Sequence, residues 1–316
     1  MRTFTNTHAM GLRTMAALCG LLAVAAGRAE AQRTHVLFVS GLSGAPQFKT
    51  QFTQAANTLR DVARSRWGVN DSSLLILTED SSSTSRRSTR ENVADAFLRL
   101  SRRVQPGDVL LVLLAGHGSG EGPGSKVNLP GPDATATEYA AWLQPFAAQQ
   151  VVFINTATGS GDFVPVLTAP GRVVITATKS AFEKNESEFL RHFVRGLEGG
   201  EADGDKDGRL SVLEAFRYAR REVQQSYERG KRLLTEHALV SDSLVAARIT
   251  FGQRATAADP RIAQLMAERQ ALESQVAALR GRKASMDAAA YEAELERLLL
   301  AIAEKSAAIK AAGGDK

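Results

Sequence analysis

Two stretches decide the fold. The first is Val109-Leu110-Leu111-Val112-Leu113-Leu114-Ala115-Gly116-His117-Gly118; the second is Val151-Val152-Phe153-Ile154-Asn155-Thr156-Ala157-Thr158-Gly159-Ser160-Gly161. Each is an unbroken apolar run that ends in small residues and a polar group. A strand with one face in water would alternate, whereas a strand buried on both faces of a parallel sheet reads as a continuous run. In such sheets ligands bind just beyond the carboxyl ends of the strands. His117 and the segment Thr156–Ser160 both fall there.

The flanking sequence repeats the theme. His35-Val36-Leu37-Phe38-Val39-Ser40 reads as a first strand, followed by the loop Gly41-Leu42-Ser43-Gly44 at the site end of the sheet. Phe48, Phe52, Ala56, Leu59 and Val62 recur at helical spacing over residues 47–66. Leu74-Leu75-Ile76-Leu77 is a second strand. Ser88 with Glu91 reads as a capping box opening a helix to about Val104. Residues 118–135, rich in Gly, Pro and polar residues, read as a loop over the site. A helix over 137–148, a strand over 172–178 and a helix over 188–197 follow. Strands alternating with helices predict an α/β fold, with a mainly parallel sheet covered on both sides.

A strand ending in His117-Gly118, beside a strand ending in Ala157-Thr158-Gly159-Ser160-Gly161, resembles the legumain-type cysteine peptidases of the caspase-like fold. The resemblance spans about Thr34 to Phe251. The legumain pattern at the second strand is roughly Val-Phe-Tyr-Ile-Glu-Ala-Cys-Glu-Ser-Gly. Val152, Phe153, Ala157, Ser160 and Gly161 match it, and Thr158 falls where the nucleophilic Cys stands; a register slipped by one puts Ala157 there. The resemblance implies a three-layer caspase-like domain. It also implies His117 as general base or acid and the Gly118 N–H as an oxyanion donor. The family's basic residue after the first strand has no good counterpart, Lys49 being the nearest, so substrate specificity does not carry over.

A thiolate suits this arrangement because Cys ionises near pH 8.5. A hydroxyl needs a stronger base and tighter alignment. Two readings stay open: a pseudopeptidase that binds peptide or protein, and a hydrolase that pairs His117 with Thr158 or Ser160 as hydroxyl nucleophile.

A second motif is independent of the first. Asp203-Gly204-Asp205-Lys206-Asp207-Gly208-Arg209-Leu210-Ser211-Val212-Leu213-Glu214 matches the twelve-residue EF-hand loop. Asp203, Asp205 and Asp207 fall at positions 1, 3 and 5, and Gly208 supplies the turn at 6. Arg209 offers its backbone carbonyl at 7, Ser211 sits at 9 and Glu214 at 12. Converging carboxylates favour a hard divalent ion, and a structural Ca²⁺ is expected. EF-hands are commonly paired, and only one such loop is present.

Composition bounds the rest. The chain has 316 residues, a formal charge of +5 and a single cysteine, Cys19. Residues 1–31 read as a signal peptide: Arg2 and Arg13, an apolar run from Met15 to Ala26, then Ala29-Glu30-Ala31 as a cleavage site. Cleavage removes three positive charges and one negative, leaving +3, and removes the only thiol. Cysteine-peptidase chemistry is then excluded in the mature chain. A periplasmic or secreted protein of a bacterial host is expected. No basic stripe is interleaved with aromatics, so nucleic acid is not an expected partner. No membrane span is expected in the mature chain.

The composition shifts after Phe251. The domain is expected to span 32–252, with a linker at 253–258 and a helical hairpin at 259–311. Ile262, Leu265, Leu272, Val276 and Leu279 form one apolar stripe. Tyr291, Leu295, Leu298, Ile302 and Ile309 form another at 4-3-4-7 spacing, the heptad rhythm of a coiled coil. An antiparallel coiled-coil hairpin follows, open to intramolecular packing or to oligomerisation and partner docking. A calcium-dependent assembly factor acting through the hairpin is a third functional reading.

Overall fold

The computed structural model describes residues 32–205, 208–251 and 260–312. The expected signal peptide, the linker and Asp207 lie outside them. The central feature is a seven-stranded sheet. Its long strands are β1 (Thr34–Ser40), β2 (Leu74–Thr78), β4 (Val109–Ala115), β8 (Gln150–Asn155) and β9 (Arg172–Thr176). The two-residue strands β3 (Arg86–Arg87) and β10 (Leu239–Val240) close its edges. The order is β10-β9-β8-β4-β1-β2-β3. Every pairing is parallel except that of β10 with β9.

The unbroken apolar runs have a simple cause. Alternate residues of each strand enter two different cores. Val36 and Phe38, Leu111 and Leu113, Val152 and Ile154, and Val173 and Ile175 point to one side. There they meet α1 (Pro46–Ser65), α5 (Phe189–Glu198) and α6 (Val212–Arg229). Leu37 and Val39, Leu110, Val112 and Leu114, and Val151 and Phe153 point to the other. That side is covered by α2 (Arg90–Ser101), α3 (Ala136–Trp142) and the short α4 (Phe163–Leu167). Each fully buried aliphatic or Phe side chain contributes on the order of 1.5–3 kcal/mol, so a polar residue on either face would be costly. The result is a three-layer α/β domain. A short helix, α7 (Ser243–Arg248), follows β10.

The topology locates the crevice. The chain steps from β1 outward to β2, then returns to the far side of β1 as β4. Where strand order reverses in this way, the loops leaving the two strands diverge and open a cleft at their carboxyl ends. The loop after β1 and the His117 segment after β4 flank it.

Several local expectations are corrected. Residues 118–135 are more ordered than a plain loop, with a three-stranded sheet of β5 (Gly118–Ser119), β6 (Lys126–Val127) and β7 (Ala134–Thr135). The cap of α2 is Thr89, which accepts from the Asn92 N–H; Ser88 is buried, and its hydroxyl donates to the Ser40 carbonyl at 2.6 Å. That tertiary contact removes Ser88 from the capping role. The helix expected over 137–148 ends at Trp142, followed by a 3-10 turn at Gln144–Phe146.

At the C-terminus, α8 (Pro260–Gly281) and α9 (Ala288–Ala311) form the helical pair. Val276, Leu279, Tyr291 and Leu298 make a small core of their own, flanked by Leu272, Leu295 and Ile302. Asp287 Oδ1 accepts the Ala290 N–H at 3.1 Å and opens α9. Among the described residues no helix is long and apolar enough to cross a membrane.

Candidate functional site

His117 stands just past β4 with its ring held on three sides. Its Nε2 donates to the Ser43 carbonyl at 3.0 Å. Phe48 meets the ring edge-on, with centroids 5.1 Å apart, and Phe52 lies at 6.0 Å. Because the Nε2 partner is a carbonyl oxygen, that nitrogen carries a hydrogen. Nδ1 is the remaining edge, and Glu186 Oε2 lies 3.4 Å from it.

The second strand end lies beside it but does not engage the imidazole. The Gly118 N–H donates to Thr158 Oγ1 at 3.1 Å. The backbones approach so closely here that a Cβ on Gly118 would stand 2.4 Å from the Thr158 carbonyl oxygen. Gly159 adopts φ +63°, a conformation L side chains rarely take, and its N–H donates to the Glu183 carbonyl at 2.9 Å. Ser160 is 1% exposed; its hydroxyl lies 3.2 Å from Thr178 Oγ1 and accepts from the Thr178 N–H. The four expected residues thus split. Gly118, next to His117, holds Thr158 at the neighbouring strand end, with Thr158 bonded to Gly118 and not to His117. Ser160 braces β9 from within.

Other groups at the site carry no sequence signal of their own beyond lying at strand ends. The Asp162 carboxylate accepts the Gly122 N–H at 2.7 Å and the Ala181 N–H at 3.3 Å, tying the loop after β4 to the loop after β9. Glu79 accepts the Ser43 N–H and hydroxyl at 3.2 and 2.6 Å, which fixes the carbonyl that His117 uses. Ser43 also borders an open groove of about 210 Å³, whose walls include Phe52, Glu79 and Asp80. Lys49 lies 2.5 Å from Asp80, and that hydrogen bond lowers the Asp80 carboxyl below its ordinary value.

The described residues of the acidic loop lie between α5 and α6. One oxygen each from Asp203, Asp205 and Glu214 lie within 4.8 Å of one another. Two oxygens sharing a calcium ion at 2.3–2.6 Å stand at most about 5 Å apart, so these three fit such an ion. Gly208 takes φ +75°, and its N–H donates to Asp203 Oδ2 at 2.9 Å. Glu214 Oε1 accepts from the Gly204 and Asp205 N–H groups, while Oε2 accepts from the Ser211 N–H and hydroxyl. Ser211 in turn caps α6, forming a full capping box with Glu214.

The loop also pairs with a strand-like segment of its own chain. Ser211 and Thr250 form an antiparallel bridge. The Val212 N–H donates to the Ile249 carbonyl at 2.9 Å and the Phe251 N–H to the Leu210 carbonyl at 3.2 Å. The Arg209 guanidinium donates to Thr250 Oγ1 at 2.8 Å. Phe251 stacks on Trp67, with centroids 4.8 Å apart.

No known protein family matches the chain, and no curated protein is similar to it. Among solved structures it is similar to the crystal structure of a structural-genomics target from Geobacter sulfurreducens. Identity is 14% and the TM-score 0.42, over 72% of this chain and 96% of that one.

Proposed function

We propose that the chain is an exported, caspase-like domain of the legumain type that binds peptide or protein without cleaving it, braced by one structural calcium ion. The observation that carries the binding reading is the Gly118–Thr158 hydrogen bond. In a peptidase of this type that N–H is reserved for the developing oxyanion, and the nucleophile faces the imidazole. Here the donor holds the side chain at the nucleophile position. His117 faces the Ser43 carbonyl and Glu186 instead. At the two strand ends the groups that would do chemistry are bonded to other partners.

The runner-up is a hydrolase in which Thr158 attacks with His117 as base. Ser160 is the alternative nucleophile, its hydroxyl now against Thr178 Oγ1. Digestion of a proteome-derived peptide library by residues 32–316, with His117→Ala as paired control, separates the two. Cleavage that disappears in His117→Ala overturns the binding reading. Peptides retained by both proteins, with no cleavage, support it.

Calcium is proposed at Asp203, Asp205 and Glu214, with Asp207, the Arg209 carbonyl and Ser211 completing the motif. Bound there, the ion would neutralise converging carboxylates and stiffen the α5–α6 junction. A third proposal is assembly through the α8–α9 hairpin.

A further inference from the structure

Residues 177–188, between β9 and α5, form no helix or strand. Their first half is fastened firmly. Glu183 has an 11% exposed side chain, and its Oε1 lies 2.5 Å from His237 Nδ1. Its Oε2 accepts from the Lys179 N–H at 3.0 Å and the His237 N–H at 3.1 Å. Its carbonyl takes the Gly159 N–H. Fastening resumes at Ser187, whose hydroxyl donates to Glu236 Oε1 at 2.6 Å.

Between these points lie Lys184, Asn185 and Glu186. Among the described residues, their one side-chain tie is Glu186 to His117. The Glu186 side chain is 56% exposed and that of His117 is 21% exposed. Nε2 of His117 is committed to Ser43 and Phe48 and Phe52 crowd the ring, so Nδ1 is the edge open to a ligand. Glu186 stands on that edge.

We infer that residues 184–186 are a displaceable cover on the Nδ1 edge of His117, with Glu186 as its autoinhibitory contact and Glu183 as its anchor. This rests on reading the end of β4 at His117 as a ligand site. A half-exposed contact between a carboxylate and an imidazole is weak and screened by solvent. Lifting it therefore reduces ligand affinity by no more than about five-fold. The anchor, by contrast, ties the loop to both His237 and Gly159, so the cover moves without unseating the Thr158 segment.

Carbethoxylation by diethylpyrocarbonate, followed residue by residue by mass spectrometry, tests the cover without needing the ligand. The proteins are residues 32–316 as wild type, Glu186→Ala and Glu186→Asp. The reaction rate at His117 rises about two- to five-fold in both variants, while His237 reacts at an unchanged rate and reports an intact fold. Glu186→Asp keeps the negative charge but shortens the reach, so it separates uncovering from loss of a neighbouring charge. An unchanged His117 rate in Glu186→Ala, or a rise there that Glu186→Asp does not share, overturns the cover. If the rate rises in both variants but no library peptide binds any of the three proteins, the cover stands and the peptide-binding reading falls.

Discussion

The Gly118 N–H donates to the Thr158 hydroxyl at 3.1 Å across the gap between two neighbouring parallel strands. The bond joins the two segments on which the functional reading depends, and Thr158 is only 5% exposed. Thr158→Val removes the acceptor at nearly constant volume and leaves a donor unpaired. A loss of about 1–3 kcal/mol is expected, read as a fall in Tm of about 2–4 °C per kcal/mol for a domain of this size. Thr158→Ser keeps the acceptor and should melt within about 2 °C of wild type.

Gly118→Ala tests the close approach itself. Its Cβ would meet the Thr158 carbonyl at 2.4 Å and the Lys126 carbonyl at 3.1 Å, both backbone atoms. Relief requires β5 or the Thr158 segment to shift, at a cost of about 1–3 kcal/mol or more. Gly124→Ala, where the added carbon meets nothing within 4 Å, is the matched control. Equal melting temperatures for the two variants would show that the strand ends are not packed this tightly.

Stability should fall on mild acidification. Burial pushes the His35 and His192 imidazoles below their ordinary value of 6.5. Asp108 beside His35 opposes this without reversing it. Each ring is neutral in the fold and must gain a proton more readily once unfolded. Their contribution is therefore complete above pH 6.5 and is lost as pH falls from 6.5 toward the lowered folded values. Glu236 acts in the opposite sense: burial raises its carboxyl above 4.5, so its contribution shrinks as pH rises from there. Thermal melts from pH 8 to 5.5 should show a decline that is smaller in His192→Gln than in wild type. An identical slope in both proteins would remove His192 from the account.

Calcium should raise Tm through Glu214. With a dissociation constant of about 10⁻⁴ to 10⁻³ M, about 10 mM Ca²⁺ adds about 1.4–2.7 kcal/mol. Glu214→Gln should abolish that gain. A calcium response that survives in Glu214→Gln would place the ion elsewhere.

The layer architecture was legible because β4 and β8 lack alternation, and the structure gives the reason in the division of alternate residues between two cores. The position of His117 was legible from the strand that ends before it. The edge strands β3 and β10 were not, since two residues carry no period; their pairing comes from β2 and β9. The Ser88–Glu91 spacing pointed to the wrong cap of α2, because the Ser40 carbonyl takes the Ser88 hydroxyl and leaves Thr89 to cap the helix. Glu186 lies in a stretch without periodicity, so nothing in the sequence pointed it at His117. Ser160 illustrates the converse: a residue matching the family pattern, whose hydroxyl faces inward to Thr178.

The bridge between Ser211 and Thr250 also has a mechanical consequence. The described domain ends at Phe251 and the helical pair begins at Pro260. Tension drawn through the hairpin would arrive first at Ile249–Phe251, where the Leu210–Phe251 and Val212–Ile249 hydrogen bonds and the Trp67 stack resist it. The acidic loop is thus the first part of the domain to feel a pull, and the sheet lies behind it.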